Sequence, residues 1–111
     1  MSAKVHVMMD FEIPSTPVSD EALDAIMDAV FAEDASNELL SDAGFFTNRK
    51  TNTVHLDLMA GGQNVDEAAA TGIAAIMTAM HKSSASEWRW LATVVTPPEQ
   101  NARLTIESLA V

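Results

Sequence analysis

A strand-then-helix plan occurs twice in this chain, and it limits the possible folds more than any other feature. Val5-His6-Val7 begins an alternating apolar segment that leads to a helix containing Ala25-Ile26-Met27. About fifty residues later, Val54-His55-Leu56 begins a second such segment, which leads to Ala75-Ile76-Met77. The spacing between matching segments varies by a few residues. The order of strand and helix is therefore repeated, whereas the amino-acid sequence itself is repeated only weakly.

This repeated unit predicts an α+β fold of the ferredoxin-like βαββαβ type, a sandwich in which two helices cover one face of an antiparallel sheet. The 111 residues suit one such domain, and no linker-like tract divides residues 1–111. Of these residues 48% are apolar, so a sizeable core can form. The architecture serves enzymes, metal carriers, RNA binders and regulatory modules alike, so it does not by itself indicate a function.

The strand and helix limits follow from hydrophobic period and from residues that interrupt it. The first strand alternates up to Ile13 and stops at Pro14, because proline lacks the N–H that a sheet ladder needs. Ser19 is placed to cap the first helix, and Asn64 with Glu67 to start the second. Gly61-Gly62 is expected to break the strand that precedes the second helix.

The C-terminal third predicts two further strands. Trp88 and Trp90 lie two apart in a fourth strand over 87–96, which places both on one face, with Thr93 and Val95 on the other. Residues 103–111 predict an extra C-terminal strand paired with the fourth as a hairpin, and a short C-terminal helix is the alternative.

The net charge of −10 is unevenly distributed. Between Lys4 and Arg49 there is no Lys or Arg, whereas ten Asp and Glu residues fall there. Such a field repels phosphate backbones and anionic lipid, so we expect no nucleic acid and no membrane as partner, and a basic protein is a candidate. The chain has no Cys, no signal-peptide pattern after Met1 and no apolar run near the ~20 residues of a membrane span, so we expect a cytoplasmic protein.

Imidazoles and carboxylates gather on one predicted sheet surface. If the first and third strands are antiparallel neighbours, His6, Asp10, His55 and Asp57 share the face that the helices leave uncovered. Such groups could bind a divalent metal or act as a general acid–base pair. Outward positions of a one-sided sheet are usually polar, however, and no spacing here is specific to a metal. We therefore assign no metal site, no cofactor and no catalytic residue.

Trp88 and Trp90 are candidates for an interface, because tryptophan contributes a large contact area to protein surfaces that associate. Packing into the core is the alternative for both. The sequence thus leaves two hypotheses for function. The first is a small, acidic, non-enzymatic protein-interaction module that self-associates through an exposed sheet face or edge. The second is a small dimeric enzyme or a ligand- or metal-binding protein that uses the uncovered sheet face.

Overall fold

The structure, a computed structural model, describes residues 2–15 and 18–96 together with the backbone of 104–107. Its elements, in chain order, are β1 (Ala3–Glu12), α1 (Asp20–Ser36), β2 (Leu40–Asn48), β3 (Thr53–Gly62), α2 (Val65–Lys82), β4 (Arg89–Thr96) and β5 (Leu104–Glu107). The strands form one antiparallel sheet in the order β2-β3-β1-β4-β5. The predicted ferredoxin-like fold is confirmed, and β5 is the predicted extra strand; residues 103 and 108–111 of that prediction lie outside the described chain.

The core lies between the sheet and the two helices. Alternate side chains of β1, from Val5 to Phe11, are almost completely buried, and those between them are half-buried or exposed. From the helix side, Ile26 and Val30 of α1 and Ile76 of α2 reach the same core. Burying one such side chain stabilises the fold by roughly 1.5–3 kcal/mol, so the two-residue period of β1 determines which face of the sheet the helices cover.

Both helices begin at the predicted caps. The Ser19 hydroxyl accepts a hydrogen bond from the Ala22 amide at 3.1 Å, and the Asn64 side chain accepts one from the Glu67 amide at 2.8 Å. Each bond satisfies an amide that has no partner inside its helix. Among the described residues, no helix has the length and apolar character needed to cross a membrane.

The third strand ends at the predicted glycine pair, at Gly62, although both glycines still belong to the strand. β3 continues through both glycines, and Gly62 pairs with Ala3 of β1. A Cβ atom at Gly62 would lie 2.6 Å from the amide nitrogen of Ala68, in the first turns of α2. Glycine is therefore needed at this position so that α2 can approach the end of the strand.

The predicted faces of β4 are wrong. Asp10 pairs with Ala92 and Phe11 pairs with Trp90, so Leu91 is an extra residue in a β-bulge. A bulge shifts the alternation by one position, and it turns Trp90 to the helix side together with Thr93 and Val95. Strict alternation of faces would place Trp90 on the other side of β4 from Thr93 and Val95, because it assumes a regular strand without a bulge.

Candidate functional site

The sheet face turned away from the helices forms the candidate site, and we call it the open face. β1 and β3 are antiparallel neighbours, as predicted, and alternate residues of both strands project from this face. The cross-strand partners are His6 with Met59, Met8 with Asp57, and Asp10 with His55. All six residues are half-buried, although no other layer covers them within the described chain. These central residues of the open face are His6, Met8, Asp10, His55, Asp57 and Met59.

The four predicted polar residues form one connected chain of contacts. Nδ1 of His55 lies 2.8 Å from Oδ1 of Asp10, and Nε2 of His55 lies 2.9 Å from Oδ2 of Asp57. Oδ1 of Asp57 lies 3.3 Å from Nε2 of His6. The structure therefore brings together all four residues that the sequence places on this surface, in the order His6–Asp57–His55–Asp10. We call this chain the His–Asp network.

His55 is the centre of the network. Each of its two ring nitrogens faces an oxygen of a different aspartate, so both nitrogens are engaged within the chain. The two distances are those of charge-assisted hydrogen bonds, which are about twice as strong as neutral ones. The His55 side chain is only 19% exposed, and its two partners lie on different strands. The network thus ties β1 to β3 through side chains as well as through the backbone ladder.

Two residues of β2 complete this surface, and the sequence analysis did not find them. The Phe46 ring packs against the His55 ring, with the centroids 4.9 Å apart and the planes inclined by 35°. Gly44 lies opposite Asp57, where a side chain would meet the carboxylate. Counting the hairpin register outward from the Asn48–Thr53 pair would have predicted both neighbours.

Apolar groups surround the His–Asp network. Met8 and Met59 lie beside it on β1 and β3, and Ala92 and Val94 of β4 stand opposite Asp10 and Met8. Phe46, at one side, is 55% exposed. The open face thus has a polar centre within an apolar frame.

Charge is distributed very differently on the two layers. Within β1, β3 and β4, the cross-strand pairs place Lys4, Asp10, Glu12, Asp57 and Arg89 on the open face, which gives two cationic and three anionic groups beside the two histidines. By contrast α1, in the other layer, carries six Asp and Glu residues and no Lys or Arg. The part of the open face formed by β1, β3 and β4 is therefore nearly balanced in charge, whereas α1 is strongly acidic.

The two tryptophans lie away from the open face. Trp88 precedes β4, and both Trp88 and Trp90 are partly buried against the core. The Trp90 indole donates a hydrogen bond to the Thr93 hydroxyl at 2.8 Å. Trp90 also lines an apolar cleft of about 290 Å³ between α2 and the sheet, together with Met9, Ile73, Met77 and Thr93. The open face and the tryptophans are therefore separate features.

Within the described residues, no group of three or more His, Asp and Glu side chains is arranged to hold a metal ion. Three of the four imidazole nitrogens in the His–Asp network already face carboxylate oxygens, so they are not turned outward as ligands. No family model, curated protein or solved structure matches this chain.

Proposed function

We propose that this protein is a small, non-enzymatic interaction module whose open face binds a second copy of the chain. The observation that carries the proposal is the His–Asp network, in which polar groups satisfy one another inside an apolar frame. A buried polar group without a partner costs about 1–3 kcal/mol. Because six of the eight side-chain nitrogen and oxygen atoms of the His–Asp network already have partners within the same chain, the centre of this surface can be covered at low cost.

The charge distribution favours a second copy over an oppositely charged protein at this face. Two copies that each carry a net charge of −10 repel if their acidic surfaces meet. In a face-to-face arrangement the two α1 helices lie on the outer sides, as far apart as the dimer allows. The nearly balanced β1, β3 and β4 parts of the open faces meet instead, so the repulsion between copies is smaller than between two α1 surfaces.

The alternative, a small enzyme or ligand- or metal-binding protein, has less support from the geometry. Both ring nitrogens of His55 and both carboxylate oxygens of Asp57 are occupied by partners within the chain. A ligand would have to break these contacts before it could use either residue. The same acidic α1 surface makes nucleic acid and anionic membrane unfavourable partners, and any basic protein partner would meet the helix layer.

Sedimentation velocity on matched lysine variants tests the proposal. Met8→Lys places a charge at the centre of the open face, whereas Met77→Lys places the same charge on α2, where Met77 is 41% exposed. We expect the wild type and Met77→Lys to associate as dimers and Met8→Lys to sediment as a monomer. A wild type that is monomeric up to millimolar concentration, or a dimer that only Met77→Lys disrupts, would contradict the proposal.

A further inference from the structure

Two polar atoms at the ends of the His–Asp network are not engaged. Within the described residues, Nδ1 of His6 and Oδ2 of Asp10 have no hydrogen-bond or ion-pair partner. Their side chains are 37% and 44% exposed, more than those of Asp57 and His55. One end of the network thus offers an imidazole nitrogen, and the other end offers a carboxylate oxygen.

These two ends are placed symmetrically along β1. His6 and Asp10 project from the same face, with Met8 midway between them. At about 3.3 Å per strand residue, each lies about 7 Å from Met8 along the strand, and the two lie about 13 Å apart. The open face therefore carries an imidazole nitrogen and a carboxylate oxygen at equal distances on either side of one methionine. When its ring is protonated, the imidazole donates through this nitrogen to a carboxylate.

We infer that two copies pack open face to open face about a twofold axis that crosses β1 at Met8, so that His6 of each copy pairs with Asp10 of the other. This inference rests on the proposed function and specifies its geometry. A twofold axis that lies between the faces and perpendicular to β1 reverses the direction of the strand. Positions at equal distances from Met8 then exchange, which places a histidine over an aspartate twice.

Charge complementarity favours this arrangement over a dimer in which the open faces meet about a twofold axis parallel to β1. An axis parallel to β1 would place His6 over His6 and Asp10 over Asp10, and two carboxylates that are each 44% exposed would meet. The inferred axis brings the two Asp57 side chains together instead, because Asp57 pairs with Met8, but both oxygens of that carboxylate already face imidazoles of their own chain and the side chain is only 22% exposed. Packed sheets usually cross at about 30°, which displaces a residue 7 Å from the axis by only about 4 Å. The imidazole and carboxylate can bridge that displacement, so the reciprocal pairs are compatible with ordinary sheet packing.

A pair of complementary charge variants tests the geometry. His6→Asp places carboxylate against carboxylate in its own dimer, and Asp10→Lys places a cation against His6. We expect each variant alone to associate at least ten-fold more weakly than the wild type. Mixed in equal amounts, they form a heterodimer whose mass is resolved by native mass spectrometry, because the carboxylate introduced by the first substitution then faces the ammonium group introduced by the second.

Circular dichroism melting curves show whether each charge variant is folded. A second experiment, chemical cross-linking of single cysteines, does not depend on the charge variants. The chain has no native Cys, so Met8→Cys and His6→Cys each provide one reactive thiol. A short bismaleimide is expected to link two copies of Met8→Cys at least ten-fold faster than two copies of His6→Cys, whose thiols lie on opposite sides of the axis. Equal rates, or faster linking of His6→Cys, would overturn the inferred axis. If the wild type is a monomer, the proposed function itself fails; a dimeric wild type whose charge variants do not form the heterodimer overturns only this geometry.

Discussion

Gly44 on β2 leaves space for the carboxylate of Asp57 on β3: a Cβ atom at residue 44 would stand 2.8 Å from Oδ1 of Asp57. Oδ1 is the atom that faces His6, so the space at Gly44 determines where that end of the His–Asp network lies. The absence of a side chain on β2 is therefore part of the site.

We predict that Gly44→Ala displaces the Asp57 carboxylate and lowers the free energy of unfolding by about 1 kcal/mol, through the weakened network contacts. Urea unfolding measures the change. Gly61→Ala is the matched control, because the nearest atoms to its Cβ would be at 3.7 Å, an ordinary contact distance. Equal effects of the two substitutions would show that the carboxylate does not depend on this space.

The two aspartates of the network are predicted to differ in their contribution to stability. Asp57 contacts two histidines and is 22% exposed, whereas Asp10 contacts one and is 44% exposed. We expect Asp57→Asn to lower the free energy of unfolding by about 1–2 kcal/mol and Asp10→Asn by less than half as much, since solvent screens the more exposed pair. Chemical denaturation at neutral pH measures both; a larger loss for Asp10→Asn would contradict the described contacts.

Gly72 on α2 is predicted to be essential for close packing against β1. A Cβ atom at Gly72 would lie 2.6 Å from Cγ2 of Val7 and 3.1 Å from Cβ of Ala60. Alanine normally favours a helix interior over glycine by up to about 1 kcal/mol, but overpacking a core costs about 1–3 kcal/mol. We therefore expect Gly72→Ala to destabilise the protein despite its better helix propensity.

A double-mutant cycle with Val7→Ala measures this contact directly. Removing the Val7 methyl groups makes room for the new Cβ, so the double variant should be at least about 1 kcal/mol more stable than the sum of the single effects predicts. Additive effects would show that Gly72 and Val7 do not limit how closely α2 approaches the sheet.

The hydrogen bond from Trp90 to Thr93 predicts unequal effects of two small substitutions. Thr93 is 1% exposed, and its hydroxyl accepts the indole N–H at 2.8 Å. Thr93→Val keeps the volume but leaves the indole without this partner, and it should cost about 1–2 kcal/mol. The same urea titration applied to Thr93→Ser, which keeps the hydroxyl, should show a smaller loss; the reverse order would mean that packing dominates at this position.

The regular parts of the fold could be predicted from sequence because each follows from a local pattern. The alternation of β1 identifies its buried face, and Ser19 and Asn64 mark the helix starts that the structure contains. The four network residues could be placed on one face as soon as β1 and β3 were taken as neighbours. Their direct contacts depend on side-chain orientation, which the sequence pattern does not contain.

The features that sequence reasoning missed all depend on contacts between distant elements. The bulge at Leu91 reverses the expected face of Trp90, and no residue type near it signals an extra position. Gly62 marks the end of β3, but the sequence does not show that it also makes room for Ala68 of α2, which lies in a different layer. In both cases contacts between distant elements determine how the residue is used, and the local sequence pattern does not show these contacts.

The central claim is that the open face is the surface through which two copies associate. The most direct test is a dilution series of amide NMR spectra of the wild type, with each signal assigned to its residue. We predict that dilution changes the signals of outward residues of β1 and β3, above all Met8, Asp57 and Met59, while those of α1 stay constant. Spectra that do not change over the whole concentration range, or changes confined to α1 and α2, would contradict the claim.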